Sequence, residues 1–133
     1  MRIDYAFICD YAEARDKVSA LGIGFDTIFA PKVPARHPHF SVVVQFRFTL
    51  TEIGPKSVVV HLIDADGSDV IPSINGNIIV NPRPGALENT ARLVMEFGNV
   101  EFKTYGDYSV RVNIEGQEIV SIPIRVAEPP RTG

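Results

Sequence analysis

The stretch that decides the fold is FSVVVQFRFTL, residues 40–50, in which apolar and polar side chains alternate. A period of two places successive side chains on opposite faces of an extended chain. The stretch therefore predicts a β-strand with one face in a core and the other in solvent. The predicted inner face comprises Phe40, Val42, Val44, Phe46, Phe48 and Leu50, and the predicted outer face comprises Ser41, Gln45, Arg47 and Thr49.

Composition extends this prediction to the whole chain of 133 residues. The β-branched residues Ile, Val and Thr number 36, whereas Leu and Ala, the commonest apolar residues of helices, number 15. We expect a single all-β domain over residues 1–126 and a flexible tail over residues 127–133. The core of that domain is predicted to contain Phe46, Val60, Leu93, Met95 and Val112.

Turn residues divide the chain into about eight short strands. Asp64–Gly67 and Glu115–Gly116 have the composition of hairpin turns, because Gly adopts positive φ without steric cost. Pro-containing segments at residues 31–38 and 81–85 predict longer connections from one sheet to another. This punctuation is typical of a two-sheet antiparallel β-sandwich of the immunoglobulin-like class.

Three of the predicted strands are less regular than residues 40–50. Gly22 and Gly24 predict a bulge or bend in a strand over residues 17–30. Pro123 cannot donate a ladder hydrogen bond, so the last strand is expected at a sheet edge, or its Pro at a bulge. In the first strand, alternation places one set of residues on a buried face: Ile3, Tyr5, Phe7 and Cys9.

The segment Tyr105–Val112 resembles the tyrosine corner of immunoglobulin-like sandwiches. The resemblance implies that the Tyr108 hydroxyl donates a hydrogen bond to the backbone at the preceding turn. The segment departs from true immunoglobulin domains, because Val110 stands where their second Cys would be and the chain contains no Trp.

Charge and hydropathy exclude several classes of partner. The net charge is −3 and the pI is near 5.5, with no run of Lys or Arg that would bind nucleic acid. Apolar stretches are only a few residues long, so no membrane span is expected. Asp4 and Asp10 interrupt the start of the chain, which does not match a secretory signal. Because Cys9 is the only Cys, we expect a protein of the reducing cytoplasm.

Four short motifs are distributed over most of the chain. They are Cys9-Asp10-Tyr11-Ala12, Gly22–Ile28 with Phe25-Asp26, His37-Pro38-His39, and the hairpin Gly106–Val126. Together they resemble a family of small uncharacterised bacterial β-sandwich proteins, a domain of unknown function, whose members begin with a strand that ends in Cys-Asp-Tyr-Ala. The resemblance implies a compact β-sandwich and no assigned activity, so no catalytic residue is carried over.

The most suggestive candidate site is the pair His37 and His39. Two imidazoles at positions i and i+2 of an extended segment can point the same way and bind one metal ion. A complete site needs further ligands, and His61 or a carboxylate is the candidate. The alternative is a loop in which Pro38 fixes the chain direction and the two rings cap carbonyls or face water.

Two other segments have a chemical and a structural interpretation. Asp64–Asp69 is rich in carboxylates, as calcium loops are, but Gly67 is fourth rather than sixth, so a turn with Asx hydrogen bonds is favoured. Cys9 could act as a nucleophile only if its thiolate were stabilised. Its alternation with apolar residues favours a core position instead.

From these features we expect a non-catalytic protein-binding or assembly module with no cofactor and no small-molecule ligand. Its partner would be another protein or a second copy, as a homodimer or higher oligomer. The alternatives are a metal-assisted enzyme that uses His37 and His39, and a structural subunit of a larger particle. The evidence for binding is a surplus of apolar residues predicted on outer faces: Ile8, Val43, Val59, Ile63, Val94 and Ile119.

Overall fold

The computed structural model describes residues 1–80 and 83–130. Within them the chain is all-β, with ten strands and one short 3-10 helix. The strands are β1 (Arg2–Cys9), β2 (Tyr11–Ala14), β3 (Val18–Leu21), β4 (Thr27–Phe29), β5 (Ala35–Thr49), β6 (Gly54–Ile63), β7 (Ile74–Val80), β8 (Glu88–Phe102), β9 (Gly106–Ile114) and β10 (Gln117–Ala127), and the 3-10 helix is Leu50–Glu52.

The strands form three sheets rather than the two expected. One sheet has the order β1-β5-β8, the second has the order β4-β10-β9-β6-β7, and β2 pairs with β3 as a separate hairpin. One of these sheets curls into a half-barrel. The expectation of purely antiparallel pairing is also wrong, because β4 and β10 run parallel to each other.

The third sheet arises where the sequence predicted one strand over residues 17–30. Gly22 and Gly24 both have positive φ, at 69° and 85°, and they turn the chain between β3 and β4. The two halves of the predicted strand therefore join different sheets, β3 with β2 and β4 with β10.

The alternation over residues 40–50 is confirmed for the inner face of β5 as far as Phe48. Phe40, Phe46 and Phe48 are buried, and the ring of Phe40 stacks on Phe97 with centroids 4.8 Å apart. Leu50 is an exception, since β5 ends at Thr49 and Leu50 is half-exposed in the 3-10 helix. Of the predicted core, Phe46, Val60 and Val112 are buried, and Leu93 and Met95 are partly buried against it.

The single buried face predicted for residues 3–9 is wrong, because β1 contains a bulge at Asp4. The register with β5 shifts between Ile3 and Tyr5. Beyond the bulge, Ile8 pairs with Val42 on the inner face. The bulge reverses the orientation of every later side chain in the strand. The outer face then receives Tyr5, Phe7 and Cys9, opposite Gln45, Val43 and Ser41.

The hairpin of β2 and β3 covers that outer face. The Arg92 guanidinium donates to the carbonyl of Asp16 at the hairpin tip, at 2.9 Å, and at the other end Tyr11 stacks on His39. Val43 and Ser41 are fully buried beneath it. The predictions of an outward Ile8, an exposed Val43 and a solvated Ser41 are therefore wrong. The other predicted outward residues, Val59, Ile63, Val94 and Ile119, are partly buried.

Both predicted turns lie between paired strands. Glu115 and Gly116 have φ of 52° and 78° and join β9 to β10. Residues 64–67 follow β6, which pairs with β7. The tyrosine-corner hydrogen bond is also confirmed, because the Tyr108 hydroxyl donates to the Thr104 carbonyl at 2.7 Å.

The last strand is an edge over only part of its length. β10 pairs with β9 throughout, and β4 covers its other side at residues 125–127. Its bulge lies between Glu118 and Val120, away from Pro123. Two predicted segments, the connection at 81–85 and the tail at 127–133, are described only in part, because residues 81–82 and 131–133 lie outside the described residues.

Among the described residues, no helix has the length and hydropathy to cross a membrane.

Candidate functional site

Three of the four motifs found in the sequence meet at one end of the molecule. The amide of Gly24 donates to the carbonyl of Ile8 at 2.8 Å, and the amide of Asp10 donates to the carbonyl of Leu21 at 2.9 Å. The ring of Phe25 lies 6.2 Å from the ring of His37. These contacts bring the end of β1, the turn at residues 22–25 and the start of β5 together.

Between these segments lies a surface cleft of about 490 Å³, hereafter the motif cleft. One carboxylate, that of Asp10, lines it. None of the described residues that form its lining is a Lys or Arg. The lining is Asp10, Gly22, Ile23, Gly24, Phe25, Thr27, Ile28, Phe29 and His37.

The Asp10 carboxylate lies directly against the backbone of Gly22. A Cβ atom added to Gly22 would stand 2.1 Å from Asp10 Oδ2, and the φ of Gly22 is 69°. A glycine is therefore required here both by the backbone conformation and by the close approach of Asp10. The Asp10 side chain therefore occupies the space that a Cβ atom at residue 22 would need.

His37 forms an inner wall of the motif cleft. Its ring lies 6.2 Å from that of Phe25 and 5.9 Å from that of Phe40, and its buried Nε2 atom has no hydrogen-bond partner among the described residues. Burial lowers the pKa of His37, which keeps the ring neutral at pH 7. The cleft charge at that pH is consequently the negative charge of Asp10.

His39 has different surroundings from His37. Its Nδ1 atom lies 2.8 Å from the Asp10 carbonyl oxygen, and its ring stacks on Tyr11 with centroids 4.8 Å apart. Its Nε2 atom lies 4.0 Å from Glu96 Oε1. The ring thus holds the start of β2 against β5, which agrees with the carbonyl-capping alternative for this residue.

The structure does not bring the third candidate ligand to this pair. His61 is on β6, in the five-stranded sheet, and its Nδ1 atom lies 3.0 Å from Asp69 Oδ1. Across residues 1–80 and 83–130, no group of three or more His, Cys, Asp or Glu side chains is placed to hold one metal ion. A metal site at His37 and His39 stays a prediction.

Cys9 is fully buried beneath the hairpin. Its Sγ atom lies 3.4 Å from the carbonyl oxygen of Tyr11 and 3.7 Å from that of Ser41. Burial raises the pKa of the thiol, so the neutral form is favoured. This is the environment of a structural thiol, although it lies on the outer face of β1 rather than in the main core.

The acidic segment after β6 forms the turn that its spacing favours. Asp64 Oδ1 accepts hydrogen bonds from the amides of Asp66 and Ser68, both at 2.9 Å. The carboxylate therefore serves its own backbone as an Asx turn does. Asp69 is paired with His61 instead.

Sequence reasoning missed an exposed apolar group beside the motif cleft, hereafter the apolar rim: Tyr11, Leu21, Ile23 and Phe29. Their exposed fractions lie between 56% and 71%. Tyr11 and Leu21 are cross-strand partners in the hairpin, while Ile23 and Phe29 line the cleft itself. Gly22 and Gly24 were the available signal for Ile23, which lies in the turn between them, whereas Tyr11, Leu21 and Phe29 lie in the short strands β2, β3 and β4.

No curated protein matches this chain. A family model described as a family of unknown function, DUF6941, matches residues 4–127, nearly the whole chain. The match includes the motifs that line the cleft. The chain therefore belongs to DUF6941, a family of unknown function.

Proposed function

We propose that this chain is a non-catalytic protein-binding module and that the motif cleft with its apolar rim is the binding surface. The observation that carries the proposal is the apolar rim itself. Each of its four large apolar side chains is more than half exposed. Ile23 and Phe29 line the cleft, while Tyr11 and Leu21 adjoin its lining residues Asp10 and Gly22 in the chain. Exposed apolar groups concentrated in this way are typical of interaction sites, whereas scattered ones are ordinary surface.

The chemistry of the cleft specifies the kind of partner. Asp10 gives it a negative charge, and the neutral ring of His37 does not offset that charge. Aromatic and aliphatic anchors surrounded by polar groups are the usual centre of a protein interface. We infer a partner segment that presents a Lys or Arg to Asp10 and apolar side chains to Ile23 and Phe29.

The surroundings of the nucleophile candidate favour binding over catalysis. The Cys9 thiol is buried and its pKa is raised, so it is neither accessible nor ionised at neutral pH. The Asp10 carboxylate lies beside Gly22 at the cleft surface, where it would meet a cationic group.

Selection from a random peptide library displayed on phage tests this function. Immobilised wild-type protein should enrich peptides that carry Lys or Arg beside apolar residues. The double variant Ile23→Ser, Phe29→Ser should lose the enrichment, and Asp10→Asn should lose the preference for basic residues. Leu50→Ser is the matched control, because Leu50 is a half-exposed apolar residue outside the rim.

Two outcomes of the selection would overturn the proposal. One is that the wild type enriches no more sequences than the rim variant does. The other is that Leu50→Ser loses the enrichment equally, which would mean that general surface hydropathy, and not the rim, retains peptides.

Further expectations accompany this proposal. We interpret the three-stranded and five-stranded sheets, which contribute side chains to one core cluster, as an immunoglobulin-like sandwich. The Tyr108 hydrogen bond supports that interpretation. A bacterial origin and a cytoplasmic location are expected from the motif resemblance and from the single Cys9.

The metal-assisted enzyme has one supporting observation, the unpartnered Nε2 atom of His37 in the cleft wall. His39 has its Nδ1 atom engaged at the Asp10 carbonyl, which leaves only Nε2 for an ion. Metal content of purified protein decides this alternative. Binding at one equivalent that is lost in His37→Ala, His39→Ala would favour it. A solution mass far above 14.6 kDa would favour a subunit of a larger particle.

A further inference from the structure

The five-stranded sheet ends in an unprotected strand, β7. Among residues 1–80 and 83–130, its one hydrogen-bonded neighbour is β6. The strand reads Ile74-Asn-Gly-Asn-Ile-Ile-Val80 and contains neither a charged residue nor a Pro. Residues 74–77 and 79 are exposed. An edge strand of this kind presents free amide and carbonyl groups to any strand that approaches.

The other sheet edges carry features that oppose such pairing. The open part of β10 contains Pro123 and the bulge between Glu118 and Val120. β4 has three residues, and β2 and β3 have four each, so they offer little to pair with. β1 has the bulge at Asp4, whose carboxylate binds Arg47. β8 carries Arg92, Glu96 and Glu101, and Asn99 has a positive φ of 49°. Charge, bulges and short length are the usual protections of edge strands, and β7 has none of them.

The core is also open beside β7. An apolar gap of about 80 Å³ separates β7 from β8, which do not pair with each other. A strand added to β7 would bring its own inner-face side chains alongside this gap. The apolar residues that line the gap are Val58, Val60, Ile74, Ile78, Leu93 and Met95.

We propose that β7 is a self-association strand, which pairs antiparallel with β7 of a second copy about a two-fold axis. This goes beyond the binding role proposed for the motif cleft and uses a different surface. Opposed residues in antiparallel strands point to the same face, so two positions that pair must have numbers of the same parity. The register centred on Asn77 satisfies this and pairs all seven residues, with Gly76 opposite Ile78 and Ile74 opposite Val80.

The sequence of β7 favours a second copy over an unrelated strand. In the two-fold register the inner face pairs aliphatic residues, apart from Gly76, which leaves room for Ile78. On the outer face Asn77 meets its own copy and Asn75 meets Ile79, so no charges oppose one another. Closed two-fold pairing is also the commonest symmetry of soluble oligomers.

An experiment with opposite charges at residue 77 tests the proposed two-fold axis, because that axis places Asn77 opposite its own copy. Asn77 is exposed, so Asn77→Lys and Asn77→Asp should each fold with an unchanged thermal midpoint at low concentration. Each variant alone places like charges opposite each other, and we expect the dimer dissociation constant to rise by about tenfold or more. An equimolar mixture of the two should recover the dimer. Asn75→Lys is the control, since it would face Ile79 and not another Lys.

Light scattering and sedimentation at a series of dilutions give the readout. The wild type should move from twice the monomer mass of 14.6 kDa toward the monomer as it is diluted. In parallel, hydrogen exchange at the amides of β7 should slow as concentration rises.

A wild-type mass that stays at 14.6 kDa at high micromolar concentration would overturn the proposal. So would a dimer that survives Asn77→Lys, or a mixture of the two variants that fails to recover it. Failure of this inference leaves the binding role separately testable, because peptide enrichment depends on Ile23 and Phe29, and Asn77→Lys should not change it.

Discussion

Asp10 and Gly22 illustrate how one residue's lack of a side chain leaves room for another residue's charge. Gly22 adopts a left-handed conformation and leaves room for the Asp10 carboxylate, which lines the motif cleft. The amide of Asp10 donates to the Leu21 carbonyl at 2.9 Å, which holds the backbone of the two residues together. The Asp10 side chain therefore occupies space that a side chain at residue 22 would need.

Replacing Gly22 by Ala should destabilise the fold more than replacing Gly24 by Ala. Both residues have positive φ, so each substitution costs about 1–2 kcal/mol of left-handed strain. At Gly22 the new Cβ also meets Asp10, whereas at Gly24 no atom lies within 4 Å. The nearest atoms belong to the end of the exposed Asp10 side chain, which can turn away, so we expect the additional cost at Gly22 to be below about 1 kcal/mol. Urea unfolding measures both free energies.

A double-mutant cycle isolates the contact with Asp10. Asp10→Gly combined with Gly22→Ala should cost less than the sum of the two single changes, because the clash is removed. Equal costs for Gly22→Ala and Gly24→Ala, or additive free energies in the cycle, would contradict a role for this close approach.

The candidate site could be predicted from the sequence in part. The motifs that contain Asp10, Phe25 and His37 were identified from their residues, and the structure brings them to one cleft. Their association depends on the pairing of distant strands, which local patterns do not determine. His37 and His39, predicted to point the same way, have different neighbours for the same reason: the Asp10 carbonyl and the Tyr11 ring contact His39, whereas Phe25 and Phe40 lie beside His37.

Among the elements, β1 shows why alternation alone misassigns a face. The residues 3–9 alternate regularly, yet one extra residue at Asp4 reverses the faces of all that follow. The bulge is stabilised by polar contacts from the neighbouring strand. Arg47 donates to both Asp4 oxygens, at 3.0 and 2.8 Å, and Gln45 donates to Oδ2 at 2.8 Å.

These contacts make the stability of the bulge depend on pH. Hydrogen bonds from Arg47, and then from Gln45, hold the pKa of Asp4 below its ordinary value. Because the native pKa is lowered, the Asp4 carboxylate makes its full contribution to the free energy of unfolding above the unfolded pKa, about 3.9. That contribution is lost as pH falls through the native pKa. Asp4→Asn should therefore lower the urea midpoint at pH 7 and have progressively less effect below pH 4.

The matched control for this titration is Asp66→Asn, at an exposed loop position. It should leave the urea midpoint close to that of the wild type at pH 7. A difference between wild type and Asp4→Asn that stays constant from pH 7 to pH 2 would contradict the linkage, since the contribution would then not require an ionised carboxylate.

The central strand β5 followed its sequence pattern on the inner face because its pairing with β8 keeps one register, and the bulge lies in its other neighbour, β1. The Phe46 ring is fully buried and lies between the partners Ile3 and Ala91. Phe46→Ala should cost about 3–5 kcal/mol, since a large cavity remains in the core. Phe29→Ala, at an exposed ring, should cost less than about 0.5 kcal/mol. Urea unfolding with similar costs for both variants would contradict the assigned core.

At the scale of the whole molecule, the sequence did not predict the number of sheets, which is three rather than two. The hairpin of β2 and β3 lies on a face that alternation predicted to be solvated, and it buries Val43 and Ser41. The apolar residues predicted on outer faces are thus buried or partly buried within the chain. Of the apolar groups that remain exposed, Ile23 lies in a turn, where periodicity carries no information about direction, and Leu21 lies at the end of the short strand β3.

Folding of the whole domain should not require a metal ion. The apolar core includes side chains from the three-stranded and five-stranded sheets, and His39 already engages the Asp10 carbonyl. Treatment with EDTA should leave the melting temperature unchanged within about 1 °C, because an occupied metal site would contribute several degrees. Zinc added after chelation should also have no effect. A fall of several degrees that zinc reverses, and that is absent in His37→Ala, His39→Ala, would instead assign the motif cleft to metal binding.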